Sequence, residues 1–299
     1  MDVGELRQWP DAKQKWLGRG SFGEVFRALY CGTPAAVKEL LTGNDQMAAV
    51  RREAREELKK EIGILSALRH PNIVCMIAFD SKYIVMDMYQ GNARKLRSLG
   101  DVAIVGRDCM RGISYMHLHG KCVVHGDIKP DNILVNYDSN GNISKAALGD
   151  VGLARACATA LRDRGFQGTP GYTPMPNPVV DSMHDVYSLA VSLLDAFLGK
   201  DPGDVHASNS EHNLDDNTSS FLTQIPDPAY KDVISIMLST YSRNKMAKTK
   251  KGELLRDIIF GWDSITNNLY ANSGMSSVGS SDQSMDALTA MSISNSSHY

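Results

Sequence analysis

The chain has 299 residues, of which 42% are hydrophobic and 22% charged, as in ordinary globular proteins with one large domain or two lobes. A formal net charge of −2 and a pI near 6.4 argue against a protein that binds nucleic acid through a broadly basic surface. The first residues are polar, and the longest apolar stretch, "VYSLAVSLLDAFLG", is short and contains Asp195, so neither a signal peptide nor a membrane span is expected.

The cysteines are few, scattered and odd in number, and they form no CxxC pair. They are Cys31, Cys75, Cys109, Cys122 and Cys157. This usage favours a reduced compartment, so we expect an intracellular, cytoplasmic protein with neither a disulfide framework nor a zinc site.

The first part of the chain has a strand-like pattern. "WLGRGSFGEVFRALYCGTPAAVKEL" alternates apolar and polar residues between glycines and predicts three short antiparallel strands. A charged amphipathic helix is predicted over 45–69, and "HPNIV" ends it because Pro71 disfavours helical geometry in the residue before it. Two more strands are predicted in "NIVCMIAFD" and "SKYIVMDMY".

From about residue 93 the pattern becomes mainly helical. A helix is predicted through "VAIVGRDCMRGISYMHLHG", two short strands are joined by the turn "DSNGN", and further helices are predicted beyond residue 179. This order predicts an α+β protein with two lobes, a first lobe over 12–89 and a second over 90–265. "HASNSEHNLDDNTSS" is predicted to be a mobile loop, and the serine-rich segment 271–299 a disordered tail.

A glycine-rich turn, "LGRGSFGEV", stands between two predicted strands. Its glycines are Gly18, Gly20 and Gly23. Such a turn lets backbone N–H groups approach phosphate oxygens, although a plain tight hairpin would look the same. Dinucleotide-binding turns share the spacing but lead into a helix, whereas here "VFRAL" continues as a strand.

A lysine in an apolar strand and a row of helical carboxylates form the second constellation. Lys38 in "AAVKEL" is costly to bury unless its ammonium meets anions, such as phosphates or a carboxylate. Glu53, Glu57 and Glu61 are spaced four apart on one helical face, and a solvated face explains most of such a run. Glu61 is nearest the apolar stretch "IGILSAL", so we expect it to turn toward the cleft.

Phosphoryl transfer requires positioning and charge neutralisation, and two polar stretches carry side chains that can provide both. In "VVHGDIKPDNILV", Asp127 would accept or orient a hydroxyl proton, Lys129 would neutralise phosphoryl charge, and Asn132 would bind a metal ion. In "LGDVGLAR", Asp150 is the predicted main ligand of Mg²⁺.

Together these motifs resemble the eukaryotic-type protein kinase family over about residues 12–265. The resemblance rests on "GRGSFGEV", "AAVK", "HGDIKPDN", "DVG" and "GTPGY", which occur in the family's order. It implies ATP and Mg²⁺ as cofactors and a protein as substrate, with Lys38 paired to Glu61. Lys129 implies serine/threonine specificity, and "GTPGY" agrees with it, with Thr169 placed to bond Asp127 and Lys129. The oligomeric state is not indicated.

The resemblance also implies the adenine site. Met86 would set the depth of the pocket, and Asp87 and Tyr89 would offer backbone groups to the base. Val25, Ala36 and Leu134 would form its apolar walls.

Three positions depart from the family pattern. Gly126 replaces the arginine that binds a phosphorylated activation segment, so we expect little dependence on phosphorylation of Thr159. Val151 replaces a phenylalanine, which predicts a void or repacking around it by Leu65 and Met76. "PMP" at 174–176 replaces an alanine-proline-glutamate motif. Lys245 or a neighbour in "SRNKMAK" stands where the family has the arginine that pairs with this glutamate, so we expect both partners to be absent.

Two other functions stay open at this point. A pseudokinase, which binds nucleotide as a scaffold or allosteric partner, fits the departures but not the complete set of catalytic residues. A small-molecule kinase of the aminoglycoside or choline type shares histidine-glycine-aspartate, but these enzymes generally lack the "DVGLAR…GTPGY" segment and often have histidine in place of Lys129.

Overall fold

An antiparallel sheet and one long helix form the first lobe. The computed structural model describes residues 6–8, 16–19, 23–40, 48–118, 122–156, 168–173, 182–199, 221–240 and 248–273. The strands of the sheet are β1 (Leu6–Gln8), β2 (Trp16–Arg19), β3 (Gly23–Tyr30), β4 (Thr33–Leu40), β5 (Met76–Phe79) and β6 (Tyr83–Asp87), and the helix is α1 (Ala48–Ala67). The strand order is β1-β3-β4-β6-β5, with β2 paired to β3.

The register of this sheet separates a core face from a cleft face. Val25 lies opposite Lys38 on β3 and β4, and Ala36 lies opposite Met86 on β4 and β6. Because side chains alternate along a strand, Ala36 and Lys38 share one face of β4, and their cross-strand partners share it too. The other face carries a small separate core made of Ala28, Ala35, Val37, Ala78 and Val85.

The second lobe is mainly helical. Its elements are β7 (Gly91–Asn92), α2 (Leu99–Leu118), β8 (Val123–Val124), a 3-10 helix (Pro130–Asn132), β9 (Ile133–Tyr137), β10 (Ile143–Leu148), a second 3-10 helix (Val151–Leu153), β11 (Arg155–Ala156), α3 (Met183–Leu198), α4 (Pro228–Ser239) and α5 (Lys248–Ser273). α2 is buried along most of its length and contacts α3, α5 and β10, so it is the central element of the lobe.

Local sequence signals set several helix ends. α4 begins with Pro228 in its first turn, and the Asp227 side chain accepts a hydrogen bond from the Ala229 N–H, as in an N-cap. α3 ends at Gly199, which has a φ of 63° and donates its N–H to the Asp195 carbonyl. Glycine adopts this left-handed conformation without the steric cost that a β-carbon adds.

The predicted α+β architecture is confirmed, with differences at the ends of elements. The helix predicted over 45–69 spans Ala48–Ala67, and the next predicted helix begins earlier, at Leu99. β1 was not predicted, and α5 continues to Ser273, past the start of the predicted tail. The domain limits and the tail stay predictions, and the loop predicted over 206–220 lies outside the described residues.

The cysteines differ from the expectation. Cys122, directly before β8, is disulfide-bonded, whereas Cys31, Cys75 and Cys109 are free thiols. Scattered spacing cannot reveal a pair that the fold brings together. Within the described ranges, no helix has the length and apolar character needed to cross a bilayer.

Candidate active site

Lys38, Glu61 and Asp150 meet where the sheet, α1 and the segment after β10 come together. Lys38 Nζ donates to Glu61 Oε1 at 2.9 Å and Oε2 at 2.7 Å, and to Asp150 Oδ1 at 3.2 Å. The side chains of Lys38 and Glu61 are 12% and 6% exposed, whereas that of Asp150 is 46% exposed. The ion pair therefore orders the interior side of the site and leaves part of the Asp150 carboxylate accessible.

The charges of this group reinforce one another. Burial by itself would lower the pKa of the Lys38 ammonium, but the charges of Asp150 and Glu61 raise it overall. Burial likewise favours protonation of Asp150, and the Lys38 charge and hydrogen bond reverse this, so its pKa is lowered. At neutral pH Lys38 is therefore an ammonium and Asp150 an ionised carboxylate.

The backbone around Asp150 keeps this corner open. Asp150 has a left-handed φ of 51°, which aspartate tolerates better than most residues. A β-carbon at Gly152 would lie 3.2 Å from Asp150 Oδ1, 3.7 Å from Glu61 Oε2 and 3.8 Å from Lys38 Nζ. A glycine two residues after Asp150 thus leaves space beside the carboxylate.

Asp127, Lys129, Asn132 and Thr169 form a second hydrogen-bonded group. Lys129 Nζ donates to Asp127 Oδ2 at 2.9 Å and to Thr169 Oγ1 at 2.7 Å. Thr169 donates to Asp127 Oδ1 through its N–H at 3.0 Å and its hydroxyl at 2.6 Å. Asn132 Nδ2 donates to Asp127 Oδ2 at 3.0 Å and to its carbonyl at 2.8 Å, so the amide oxygen points away from Asp127.

A buried carboxylate from α3 anchors the loop that carries Asp127. Asp185 Oδ2 accepts from the His125 N–H and Oδ1 from the Gly126 N–H, at 2.8 and 2.9 Å. His117 Nε2 lies 2.8 Å from Asp185 Oδ2 and must carry a proton there, since a carboxylate only accepts. Burial by itself would raise the pKa of Asp185, but hydrogen bonds and the charges of His117 and His125 lower it.

The same loop is tied to the segment that carries Asp150. His125 Nε2 lies 2.9 Å from the Gly149 carbonyl, and the Gly149 N–H donates to the Asn132 carbonyl at 2.8 Å. Gly126 has a left-handed φ of 81°, a conformation that suits glycine better than a side chain with a β-carbon. The two groups of polar side chains are thus held by one network of hydrogen bonds.

The glycine-rich turn is described only in part. Gly18 lies on β2 with open space where a β-carbon would stand, and Gly20 lies outside the described residues. At Gly23 a β-carbon would lie 2.6 Å from the Glu39 carbonyl oxygen, so only glycine allows β3 and β4 to pair this closely.

The predicted adenine residues lie on the cleft face and at the crossing between the lobes. Val25 and Ala36 share the face of Lys38, as the register requires. Leu134 on β9 is partly buried, Met86 on β6 is 8% exposed, and Tyr89 follows that strand. The Asp87 N–H donates to the Cys75 carbonyl, so a contact from Asp87 to a base has to use its carbonyl.

Of the departures, two fall on described residues. Gly126 lies in the anchored loop, and Val151 is fully buried in the same core as Leu65 and Met76. A void around Val151 stays a prediction. The other predicted features lie outside the described residues, namely Thr159, residues 174–176 and the segment around 245.

The arrangement of these groups agrees with a comparison with known families. A sequence model of the family described as "Protein kinase domain" matches residues 12–258. The chain belongs to the protein kinase domain family. The resemblance inferred from the motifs is confirmed, and this kinase domain has the α+β fold expected for it.

Individual relatives point in the same direction. The kinase domain is 31% identical over 193 residues to "Probable serine/threonine-protein kinase drkD" of Dictyostelium discoideum, which covers 59% of this chain and 14% of the relative. It is 30% identical to "Receptor-like kinase TMK2" of Arabidopsis thaliana, over 66% of this chain and 24% of that protein. "Serine/threonine-protein kinase dst1" of Dictyostelium discoideum is 30% identical over 63% and 26%. The matched part spans only 14% to 26% of the length of these three relatives.

Sequence reasoning missed the anchoring residue Asp185. The available signal was a lone aspartate in the first turn of the otherwise apolar helix "MHDVYSLAVSLL". A buried carboxylate requires donors, but its donors stand 59 to 68 positions earlier in the chain, so spacing does not reveal them.

Proposed function

We propose that this kinase domain is an active serine/threonine protein kinase, which transfers the terminal phosphoryl group of ATP to protein hydroxyls with Mg²⁺. The observation that carries the proposal is the complete hydrogen-bonded group of Asp127, Lys129 and Thr169 beside the ion pair of Lys38 and Glu61. A domain that had lost catalysis would have no need to keep all of these side chains in mutual contact.

In the proposed reaction, Asp127 receives the proton of the acceptor hydroxyl. The bond from phosphorus to the ADP oxygen breaks, and a bond from phosphorus to the hydroxyl oxygen forms. Four hydrogen bonds from Thr169, Lys129 and Asn132 fix the Asp127 carboxylate. The carboxylate is therefore already oriented toward the acceptor site before the proton is transferred. Lys129 balances charge on the migrating group.

Nucleotide and metal fit the other group of side chains. We infer that Lys38, held by Glu61, contacts the phosphates, and that the glycine-rich turn covers them. Mg²⁺ commonly binds through one or two protein oxygens together with phosphates and water. The exposed part of Asp150 and the amide oxygen of Asn132 suit that role. When bound, the metal would neutralise phosphate charge.

The acceptor class follows from the catalytic loop and from the relatives. Lys129 two residues after Asp127 is the feature that the family resemblance associates with serine or threonine as acceptor. Relatives such as dst1 are named serine/threonine-protein kinases. We therefore propose serine and threonine side chains as acceptors.

The test is phosphorylation of a serine/threonine peptide library with labelled ATP and Mg²⁺. We expect incorporation by the wild type and a loss of about 10²- to 10⁴-fold in Asp127→Asn, the usual contribution of a catalytic acid or base. Nucleotide binding, measured as a rise of the melting temperature with ATP and Mg²⁺, should persist in that variant. Equal background signals from both proteins, with binding retained, would instead establish the nucleotide-binding scaffold.

A further inference from the structure

A run of cations lies directly after the segment that joins the lobes. Arg94, Lys95 and Arg97 are exposed, and Ala93 and Leu96 between them are buried. We call these three residues the basic rim. Alternation of anchored apolar and exposed basic residues holds the cations at the surface, where their charge is available to a partner.

Backbone hydrogen bonds fix the basic rim next to the catalytic loop. The Ala93 N–H donates to the carbonyls of Pro130 and Ile133, at 3.2 and 2.8 Å, on either side of Asp131 and Asn132. The Leu96 N–H donates to the Ala196 carbonyl on α3 at 3.1 Å. The segment is thus attached to the elements that carry the proposed catalytic groups.

The Arg94 guanidinium is oriented by the catalytic loop itself. Its Nε donates to Asp131 Oδ1 at 2.6 Å, and Asp131 lies between Lys129 and Asn132 in the sequence. The Arg94 side chain is nevertheless 68% exposed. Among the residues that the structure describes, its two terminal amino groups donate to no acceptor, and this fork can bind a carboxylate or phosphate through two parallel hydrogen bonds.

The acidic side chains nearby already have internal partners. Asp131 accepts from Arg94, and Asp195 Oδ2 accepts from the Tyr172 hydroxyl at 2.7 Å. Tyr172 belongs to the segment that holds Asp127 through Thr169. Burial and the contact with Asp195 raise the pKa of the Tyr172 hydroxyl, the charge of Asp131 adds to the rise, and the charge of Arg94 opposes it. A peptide beside this segment therefore meets the exposed cations of the basic rim, whereas Asp131 and Asp195 already accept hydrogen bonds from within the domain.

We propose that the basic rim selects acceptor peptides that carry an anionic side chain, a carboxylate or a phosphate, near the serine or threonine to be phosphorylated. Arg94 makes the direct contact, and Lys95 and Arg97 add charge. Asp131 acts as a positioning residue that holds Arg94. This inference rests on the proposed kinase activity and specifies its substrates.

The test compares peptides that differ only in flanking charge. Each peptide has one acceptor serine and, at each neighbouring position in turn, glutamine, glutamate, phosphoserine or lysine. For the wild type we expect kcat/KM to rise about 3- to 10-fold from glutamine to glutamate at a favoured position, the size of a partly exposed ion pair, and to fall with lysine. The phosphoserine peptide shows whether phosphate or carboxylate is preferred.

Arg94→Glu should reverse the preference, giving a ratio of glutamate to lysine peptides below one. Lys250→Glu is the control with the same change of charge, because Lys250 is exposed on α5, a helix that packs against α2 and α4. That control should keep the wild-type ratio. Equal kcat/KM for all flanking residues in the wild type, or the same reversal in Lys250→Glu, would overturn the proposal.

Binding separates this inference from the proposed activity. The same peptides with alanine in place of the acceptor serine are measured by fluorescence anisotropy, which needs no phosphoryl transfer. We expect tighter binding of the anionic peptides and a loss of that difference in Arg94→Glu. If no peptide is phosphorylated, the proposed activity fails, and the anisotropy series still decides whether the basic rim selects anionic peptides.

Discussion

At the scale of single residues, Thr169 joins two side chains that come from a different part of the chain. Its hydroxyl donates to Asp127 and accepts from Lys129, and its N–H donates to the same oxygen of Asp127. An apolar side chain of the same shape would keep the N–H contact but lose the two hydroxyl contacts. The position of Asp127 therefore depends on a residue 42 positions later.

Replacing Thr169 by valine should impair turnover more than stability. We expect kcat in Thr169→Val to fall about 10- to 100-fold, because small displacements of a catalytic group have effects of this size. Stability should change by only about 1 kcal/mol, the net contribution of one or two hydrogen bonds. Steady-state kinetics at saturating ATP measure the first effect and urea unfolding the second.

Thr169→Ser is the matched control, since serine keeps the hydroxyl and loses only a methyl group. Its kcat should stay within about 3-fold of the wild type. Serine and valine variants with the same kcat would show that the hydroxyl does not position Asp127.

The motifs and the family resemblance predicted some contacts between residues that are far apart in the sequence. The contacts of Lys38 with Glu61 and of Lys129 with Thr169 were both expected, and both are present. The contact of Arg94 with Asp131 was not expected, because each residue alone reads as an ordinary exposed charge. Only the fold brings Arg94 within 2.6 Å of the catalytic loop.

At the scale of elements, two helical glycines have opposite surroundings. Gly106 on α2 faces Trp262 of α5, and a β-carbon there would lie 2.7 Å from the indole ring. Trp262 is fully buried and has no room to move away. Gly63 is exposed on α1, with open space where its β-carbon would be. The first glycine permits close packing of two helices, whereas the second only weakens its own helix.

Alanine substitutions should therefore change stability in opposite directions. We expect Gly106→Ala to lower the free energy of unfolding by about 1–3 kcal/mol, as overpacking of a core does. Gly63→Ala should raise it by about 0.5–1 kcal/mol through helix propensity. Urea denaturation with unchanged slopes gives both values. Two shifts of the same sign would contradict this account of α2 and α5.

Element boundaries were less predictable than the elements themselves. β1 is three residues long and exists through its pairing with β3, where Leu6 lies opposite Tyr30, so its local sequence carries little signal. α5 continues to Ser273 although the serine-rich composition begins near Ala271. Its partly buried residues Leu269 and Tyr270 pack against the main core, which favours helix beyond the point that composition suggests.

At the scale of the whole molecule, the segment after α1 ties the two lobes together. Ile73 forms a bridge with Leu148 of β10, and the Val74 N–H donates to the Leu148 carbonyl at 2.8 Å. His70 stacks on Tyr115 of α2 with ring centroids 5.0 Å apart, and its Nδ1 accepts from the Asn72 N–H. Protonation of His70 would remove that acceptor and place a charge in the junction.

The stability of the whole domain should therefore depend on pH through His70. Burial, with the positive charges of Arg111 and Lys145, lowers the pKa of His70 to about 4. The unfolded chain takes up this proton near pH 6.5, so the stabilising contribution is complete above about 6.5 and is lost as the pH falls toward about 4. The loss should reach about 1–3 kcal/mol, which urea unfolding at a series of pH values measures. The pKa values of Asp150 and Asp185 are lowered in the folded state, so the stability that these carboxylates contribute is lost only at more acidic pH than that of His70.

His70→Asn separates this effect from other titrations, because an asparagine side-chain oxygen can accept the Asn72 N–H and does not titrate. The variant should be less stable than the wild type at pH 7.5, since it loses the stacking on Tyr115. Between pH 6.5 and 4 its stability should decline less steeply than that of the wild type. Parallel curves for the two proteins would show that the pH dependence arises elsewhere and that the junction between the lobes does not sense protonation of His70.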